Sequence, residues 1–494
     1  MNRALHTGPG AEPTIAATEN SPADVRAVVD SDTPLRAEPE DERPGHVRPR
    51  RRLKLVVGGI ALGILLVVVA GALGAVRSNS SGPGSARLPS PALPAVVSGR
   101  GTGASLDELI RSLQGRLEST PADHVSWATL GLAYVQQARI TVDPSYYPRA
   151  DGALERSLEI NDTDNFLAYA GLSALASARH DFADAKAHAE RGLAINDFSA
   201  ILYGALSDAE IQLGNYDDAF AAVQKMLDLS PDTSSLTRAS YTWELRGDLD
   251  RATQLMQRAL DDAPTPADRA FVQFQLGELE FNAGDPAAAL ERYTSALEAS
   301  PQDPAALAGK ARALAALGQV ETAIDSYAAL VERAPEPTYL LEYGQLLESV
   351  GRPADAEAQY EIFVLTQQLF AANGVQPDAV LALFLADHGD AVAALEAAEG
   401  ALAENPFLTT HDAHAWALYR NGRYEEALAA IDRALALGYR NARFHFHAGM
   451  ISHALGMDER ARTELTTALD INPNFHPLDV EVAEATLASL VSGT

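Results

Sequence analysis

The chain has 494 residues, of which 47% are apolar but only 6% are aromatic, and it contains no cysteine. That length exceeds what one hydrophobic core supports, and the absence of cysteine excludes disulfides, thiolate catalysis and Cys-ligated zinc. Residues 1–104 hold 12 basic and 9 acidic residues, so 26 of the 38 basic and 58 of the 67 acidic residues fall in the remainder, a balance of −32. A part this acidic repels phosphates, which excludes nucleic acid and anionic lipid as its ligands.

Two segments before the main domain are predicted to be flexible. Residues 1–52 are rich in Pro, Glu, Asp and Ala without a sustained apolar period, so they bury too little surface to offset chain entropy and form a disordered tail. Residues 77–104 are rich in Ser, Gly and Pro and are predicted to be a flexible linker.

A single transmembrane helix is predicted at residues 53–76. Leu55 to Val76 is a run of 22 uncharged residues, which as a helix would rise about 33 Å and cross a hydrocarbon layer about 30 Å thick. A cleaved signal peptide is the alternative, because four of the five residues at 71–75 are Gly or Ala, although its apolar core would be shorter and nearer the N-terminus. Five basic residues between positions 48 and 54 precede the run. The positive-inside bias therefore predicts a cytoplasmic N-terminus and an extracytoplasmic C-terminal domain.

Residues 270–301 contain the pattern that organises the rest of the chain. Small and apolar residues recur at helical spacing in two stretches, and the Gly-Asp pair at 284–285 between them is typical of a helix end followed by a helix cap. The pattern returns 34 residues later, where Tyr293 recurs as Tyr327. A period of about 34 indicates a solenoid of helical hairpins.

Fixed residue types at equivalent positions identify the kind of repeat. The matching residues are Trp127, Leu130, Gly131 and Tyr134 in the first unit; Tyr216, Ala219, Met226 and Pro231 in the third; Gly422, Tyr424, Ala427, Ala434 and Leu435 in the ninth; and Gly456, Ala461, Ala468 and Pro473 in the tenth. This arrangement resembles the tetratricopeptide repeat (TPR). The resemblance implies an all-α, right-handed TPR-like solenoid of about ten repeats within residues 105–494, with a leading helix from Ser105 and a capping helix at 479–490.

Two units depart from the repeat pattern. The first carries extra residues at 140–148, where Pro144 and Pro148 prevent simple continuation of the helix. The second helix of the seventh unit runs on through Phe370 toward Asn373. Each segment is either a contact surface or a spacer, and the spacer is favoured because loops tolerate insertions.

The sequence offers little evidence of catalysis or metal binding. It lacks phosphate-loop, His-Glu-x-x-His and Gly-x-Ser-x-Gly motifs, so neither an enzyme nor a cofactor is predicted. Five of its 12 histidines fall within residues 411–453. His411 and His445 are equivalent in successive units, and His414 lies one helical turn from His411. Neutral imidazoles arranged in this way can bind zinc, copper or nickel, but helix packing is the favoured interpretation.

The inner face of the solenoid is predicted to bind the partner. In TPR domains the first helices line a concave face, and offsets 0, +3, +7 and +10 along a first helix share that face. The predicted groove residues are Phe271, Phe274, Phe281, Trp416, Tyr419, Phe446 and Met450. The Lys and Asn that carboxylate-binding TPR domains use are absent from the corresponding positions, so we expect the groove to hold an apolar peptide or helix.

These features predict a scaffold tethered to the plasma membrane by one helix, with its TPR domain outside and a protein of the cell envelope as its partner. One alternative is an extracytoplasmic metal-handling protein that uses the C-terminal histidines. A second, which requires the opposite orientation, is a cytoplasmic adaptor. Only 4 of the 38 basic residues are Lys, which together with frequent Ala indicates a GC-rich bacterial genome.

Overall fold

The computed structural model describes residues 103–492, and every regular element in that range is helical. It contains 22 α-helices and a 3₁₀ turn at Pro144–Tyr146, with no β-strand among the described residues. The helices are α1 (Gly103–Ser119), α2 (His124–Thr141), α3 (Tyr147–Ile160), α4 (Phe166–Ala178), α5 (Phe182–Ile195), α6 (Ala200–Gln212), α7 (Tyr216–Leu229), α8 (Thr233–Glu244), α9 (Leu249–Asp261), α10 (Pro266–Asn282), α11 (Pro286–Ala299), α12 (Pro304–Ala316), α13 (Val320–Arg333), α14 (Pro337–Ser349), α15 (Pro353–Ala371), α16 (Ala379–His388), α17 (Ala391–Glu404), α18 (Leu408–Arg420), α19 (Tyr424–Leu435), α20 (Ala442–Ala454), α21 (Asp458–Ile471) and α22 (Asp479–Ser492).

Three of the predicted segments cannot be compared with this structure. The disordered tail (1–52), the transmembrane helix (53–76) and the linker up to residue 102 lie outside the described residues. Between residues 103 and 492, the structure has no helix that is both long and apolar enough to cross a bilayer.

The helices pair into ten hairpins, from α2–α3 to α20–α21, with α1 before them and α22 after them. Each first helix packs against its own second helix, and several also pack against the first helix of the next hairpin. The prediction of an all-α, TPR-like solenoid is confirmed. The tenth hairpin ends at Ile471, and α22 begins at Asp479, where the capping helix was expected.

Local sequence accounts for the ends of the helices. The Asp285 carboxylate accepts a hydrogen bond from the Ala288 N–H at 2.9 Å, and Asp303 accepts one from Ala306 at 3.0 Å. These bonds satisfy first-turn N–H groups that have no partner within the helix. Gly284, which precedes the capping residue Asp285, has φ 86°, a left-handed conformation that glycine adopts without a Cβ clash.

The fifth and sixth hairpins pack closely because a large side chain is enclosed by glycines. Tyr293 on α11 is fully buried between Gly277 on α10 and Gly309 on α12. A Cβ atom at either glycine would lie 2.5 Å from Cε1 of the tyrosine ring. The two glycines therefore let neighbouring first helices approach the same tyrosine, as a close-packed core requires.

The solenoid coils so that hairpins in its later superhelical turn contact hairpins in its earlier one. The side-chain amide of Asn472 donates to the carbonyl oxygen of Phe281 at 2.9 Å, across 191 residues of sequence. The backbone of Gly438 approaches Gly247 so closely that no room remains for a Cβ atom there. The later hairpins therefore cover part of the inner face of the earlier ones.

The two irregular segments of the sequence pack against each other. Phe370, near the end of α15, and Val142, in the insertion of the first unit, form one buried apolar cluster to which Val375 adds. Val142 also ends α2 in a left-handed conformation, φ 57°, which is costly for a β-branched residue. The favoured interpretation of both segments as spacers is therefore wrong, because together they form a contact between turns.

Candidate binding site between the turns of the solenoid

Part of the predicted inner face lines a cavity of about 290 Å³. Phe271, Phe274 and Glu278 on α10, at offsets 0, +3 and +7, all lie in its wall. Thr409 on α18 lines it from the other turn of the solenoid. These positions share one face, as the helical offsets predict.

Three other predicted groove residues belong to the core. Phe281 and Trp416 are each 5% exposed and Phe446 is 1% exposed. The guanidinium carbon of Arg312 lies 4.6 Å from the centre of the Phe281 ring, and Phe475 packs on Phe446 with ring centres 5.6 Å apart. The expectation that these aromatic side chains are surplus to the core is wrong, because neighbouring units cover them.

Trp416 shows how one of these side chains is held. Its ring stacks on Tyr419 at 4.7 Å and on His447 at 4.2 Å between ring centres. Its Nε1–H donates to Asp387 at 2.7 Å. Tyr419 and Met450 are half-buried and pack against the same apolar cluster. This set of residues joins the eighth, ninth and tenth units.

The structure does not gather the predicted histidines into a metal site. Within residues 103–492, no three His, Asp or Glu side chains are placed so that they could hold a metal ion. His445 lies 2.7 Å from Glu464 through Nδ1. Burial lowers the pKa of His411 and of His414, and the charge of Arg433 lowers the pKa of His411 further. Burial therefore favours the neutral form of both rings.

The cavity exists because one first helix carries small residues. On α12, Ala305, Ala308 and Gly309 line the wall. At the position of Ala305, the preceding unit has Phe271 and the following unit has Tyr339, each 34 residues away. Larger side chains thus flank a gap that the small ones leave open.

An ion-pair network forms one end of the cavity. The guanidinium of Arg312 pairs with Glu278 through Nη2, and its Nη1 lies 3.2 Å from Oε1 of Glu342. The Tyr293 hydroxyl donates to Glu278 at 2.5 Å, and the Tyr327 hydroxyl donates to Glu342 at 2.9 Å. Both carboxylates therefore have a cationic partner and a hydrogen-bond donor.

Glu244 differs from these two carboxylates. It lies in the cavity wall at the end of α8, half-buried, and among the described residues nothing donates a hydrogen bond to its carboxylate or forms an ion pair with it. Burial, and secondarily the charge of Glu278, raises the pKa of Glu244 to about 7. Burial and the charge of Glu244 also raise the pKa of Tyr439, which reaches the cavity from the other turn. The cavity thus contains one carboxylate without a counter-charge.

Comparison with known families agrees with this architecture. A family model described as tetratricopeptide repeat matches residues 171–233, 274–337, 309–371 and 413–474. The chain is a tetratricopeptide repeat protein. TPR proteins are generally non-catalytic scaffolds.

Solved structures of other TPR proteins match between 35% and 80% of the chain. The Cut9–Hcn1 hetero-tetramer of the APC/C is 16% identical, with a TM-score of 0.40, over 80% of this chain and 84% of that one. A TPR protein from Parabacteroides merdae is 21% identical, with a TM-score of 0.31, over 52% and 98%. The TPR protein TTC0263 from Thermus thermophilus is 23% identical, with a TM-score of 0.32, over 35% and 91%. A comparison with curated protein sequences finds no match.

Helix α15 of the seventh TPR unit exposes a regular apolar stripe. Ile362 is 41% exposed, Leu365 63% and Leu369 41%. Exposed Ala358 precedes them and exposed Ala372 follows, so that the spacing alternates between four and three residues. This is the spacing of the a and d positions of a coiled coil, which pack against a second helix. We call these five residues the α15 seam.

The repeat spacing in the sequence could have identified some of the cavity-lining residues that were not predicted. Glu244, Glu278 and Arg312 are separated by 34 residues each, so the +7 offset applied to units four and six would have found the first and the last. Phe407 and Tyr439 had no such signal, because they reach the cavity through the contact between turns.

Proposed function

We propose that this protein is a membrane-tethered scaffold that holds a partner protein through a helix packed on the α15 seam. The observation that carries the proposal is the exposed a/d spacing of Ile362, Leu365 and Leu369. Helix α15 has 19 residues, whereas the second helices of the other nine hairpins have 12 to 14. Its last turn is anchored by Phe370 on Val142. The seam is therefore displayed on a helix that is fixed from the opposite side.

The surroundings of the seam favour a basic amphipathic helix from a different protein. Glu361 is exposed and precedes Ile362, which places it at a flanking g position where coiled coils form interhelical ion pairs. The other flanking residues, Gln359, Thr366 and Gln368, offer no positive charge to a second copy of this chain. Residues 105–494 also carry 58 acidic and 26 basic residues, so two copies repel each other. Lys or Arg beside the partner's apolar residues would complement Glu361.

The membrane tether is part of the proposal. Leu55 to Val76 has the length and composition of a single span, and the basic residues between positions 48 and 54 favour a cytoplasmic N-terminus. The partner is then a protein of the cell envelope on the outer side of the plasma membrane. The acidity of the TPR domain argues against nucleic acid as a ligand.

Photocrosslinking in living cells tests the partner. A photoreactive residue at position 365 of the full chain should crosslink to another protein, at a segment that mass spectrometry shows to be an amphipathic helix with Lys or Arg beside its apolar face. The matched control is position 392, where Val392 on α17 is 60% exposed; it should give no such product. A Leu365→Glu variant should lose the product formed from a probe at position 369, and Val392→Glu should keep it. Crosslinks only to a second copy of the chain, or equal products from both positions, would overturn the proposal.

A further inference from the structure

We infer that the cavity between the turns binds the ammonium or guanidinium group of a small organic cation, with Glu244 as its carboxylate partner. The ligand would lie between α8, α10, α12 and α14 on one side and the later turn of the solenoid on the other. This site is separate from the α15 seam and does not depend on the scaffold function.

The size of the cavity sets the size of the ligand. Its volume of about 290 Å³ lies at the lower end of the range for small-molecule sites, and a water molecule occupies about 30 Å³ of liquid. A ligand of roughly ten non-hydrogen atoms therefore fits. The space is open because Ala305, Ala308 and Gly309 on α12 have small side chains or none.

The wall of the cavity is suited to a cation because it is rich in aromatic rings. Four first-helix side chains, Tyr241, Phe271, Phe274 and Tyr339, line it, and Tyr439 adds a ring from the later turn. The negative faces of aromatic rings attract organic cations, and this attraction grows when the site is desolvated.

Charge excludes the other ligand classes. An anion would meet three carboxylates, of which Glu278 and Glu342 already share the one guanidinium of Arg312. A neutral ligand would leave the ionised Glu244 desolvated and without a partner, which is costly. An ammonium or guanidinium group supplies both the opposite charge and the N–H donors that Glu244 lacks. Burial accordingly raises the pKa of Glu244 to about 7.

A free amine and a basic side chain of another protein have the same chemistry. Phe407 and Tyr439 line the cavity from the later hairpins, and its volume of about 290 Å³ is too small for an extended peptide. Asn282, at the end of α10, is exposed at the rim. A single Lys or Arg side chain, or a small free amine, can enter from that side.

Isothermal titration calorimetry on the full chain tests the inference. The probes are butane-1,4-diamine and agmatine as free cations, with butane-1,4-diol as the neutral control. The tripeptide acetyl-Gly-Lys-Gly-amide represents a protein side chain, with the Gln tripeptide as its control. We expect the cationic probes to bind at pH 8 and the neutral ones not to. Binding should weaken as the pH falls below about 7, because protonation of Glu244 removes its charge.

Substitutions test whether cation binding depends on Glu244 or on acidic residues elsewhere on the surface. Glu244→Gln should weaken binding at least about tenfold, the effect of losing one charge-assisted hydrogen bond. Glu396→Gln, which makes the same charge change at an exposed position on α17, should leave binding unchanged. Ala305→Phe, which copies Phe271 into the gap, should abolish binding; its melting temperature shows whether the protein is folded.

The two arms of the titration distinguish the sources of the cation. Binding of the Lys tripeptide but not of the free amines supports a protein side chain, and the reverse supports a free amine. The inference is overturned if the diol binds as tightly as the diamine, if no cation binds at millimolar concentration, or if Glu244→Gln binds as the native chain does. None of these results bears on crosslinking at the α15 seam.

Discussion

Nδ1 of His180 lies 3.2 Å from the carbonyl oxygen of Gln376, although 196 residues separate them in sequence. A carbonyl oxygen can only accept, so the ring nitrogen donates and neutral His180 carries its proton on Nδ1. His180 has φ 61° in a hairpin turn whose counterparts Gly214 and Gly284 are glycines. A residue with a side chain is retained in this left-handed conformation because that side chain joins two turns of the solenoid.

Substitution of His180 should separate backbone strain from the contact between turns. Both His180→Gly and His180→Ala lose the hydrogen bond, but only Ala keeps a Cβ atom in the left-handed conformation. We expect His180→Ala to be less stable than His180→Gly by about 1 kcal/mol in urea unfolding. Gly318→Ala is the control, because a Cβ there meets no neighbour at φ 77° and adds strain alone. Equal stability of the two His180 variants would mean that this turn is not held left-handed in solution.

Phe370 is expected to hold the end of α15 against the first unit. Phe370→Ala leaves a void beside Val142, and burial losses of this kind cost about 3–5 kcal/mol. Hydrogen exchange should therefore accelerate in residues 365–376 and in residues 139–148 together. Leu369→Ala is the matched control, since Leu369 is 41% exposed on the same helix and its loss should cost less than about 0.5 kcal/mol. Faster exchange in only one of the two segments would contradict the contact.

The repeat boundaries could be predicted because each hairpin is determined locally. Asp285 starts one helix and Gly284 ends another, and Tyr293 requires glycines on both neighbouring first helices. Such requirements recur with the period of the repeat. The contacts His180–Gln376 and Val142–Phe370 have no period, so nothing in a single repeat indicates them.

The inner face was predicted only in part for a geometric reason. At about 100° per residue, the +10 position of a helix lies about 80° from position 0. It therefore points toward the adjacent unit, where Phe281 meets Arg312. Helical offsets identify which residues share a face, but burial on that face depends on how neighbouring helices and turns cover it. Trp416 is covered in this way by His447 of the next unit.

Trp416 should matter for stability and not as an exposed anchor. Trp416→Ala removes a ring that stacks on Tyr419 and His447, and we expect it to cost about 3–5 kcal/mol. Trp416→Phe keeps most of the packing and loses the hydrogen bond to Asp387, so it should cost about 1 kcal/mol. Urea unfolding monitored by circular dichroism measures both. An unchanged unfolding midpoint for Trp416→Ala would show that the side chain is not part of the core.

The proposed orientation predicts an asymmetric protease pattern. Protease added to spheroplasts should digest residues 105–494 and leave residues 1–52 protected, because the basic residues before Leu55 favour the cytoplasm. Antibodies to tags at the two ends detect the fragments, and inside-out vesicles should give the opposite pattern. Protection of the repeats in spheroplasts, with digestion of the tail, would indicate a cytoplasmic adaptor.

Glu244 should make the stability of the free protein depend on pH in a defined direction. Burial raises its pKa from 4.5 to about 7 in the folded state, so the folded chain binds a proton that the unfolded chain has released between those values. Stability from this group is therefore present below about pH 4.5 and is lost as the pH rises to about 7. Glu244→Gln removes this loss. At pH 8 the free energy of unfolding of the variant should therefore exceed that of the native chain by on the order of 2 kcal/mol, after allowance for partial exposure. The difference should vanish near pH 4.5, and Glu396→Gln should show no such trend. A stability difference that is constant from pH 4 to pH 8 would mean that Glu244 is solvated as an ordinary surface carboxylate.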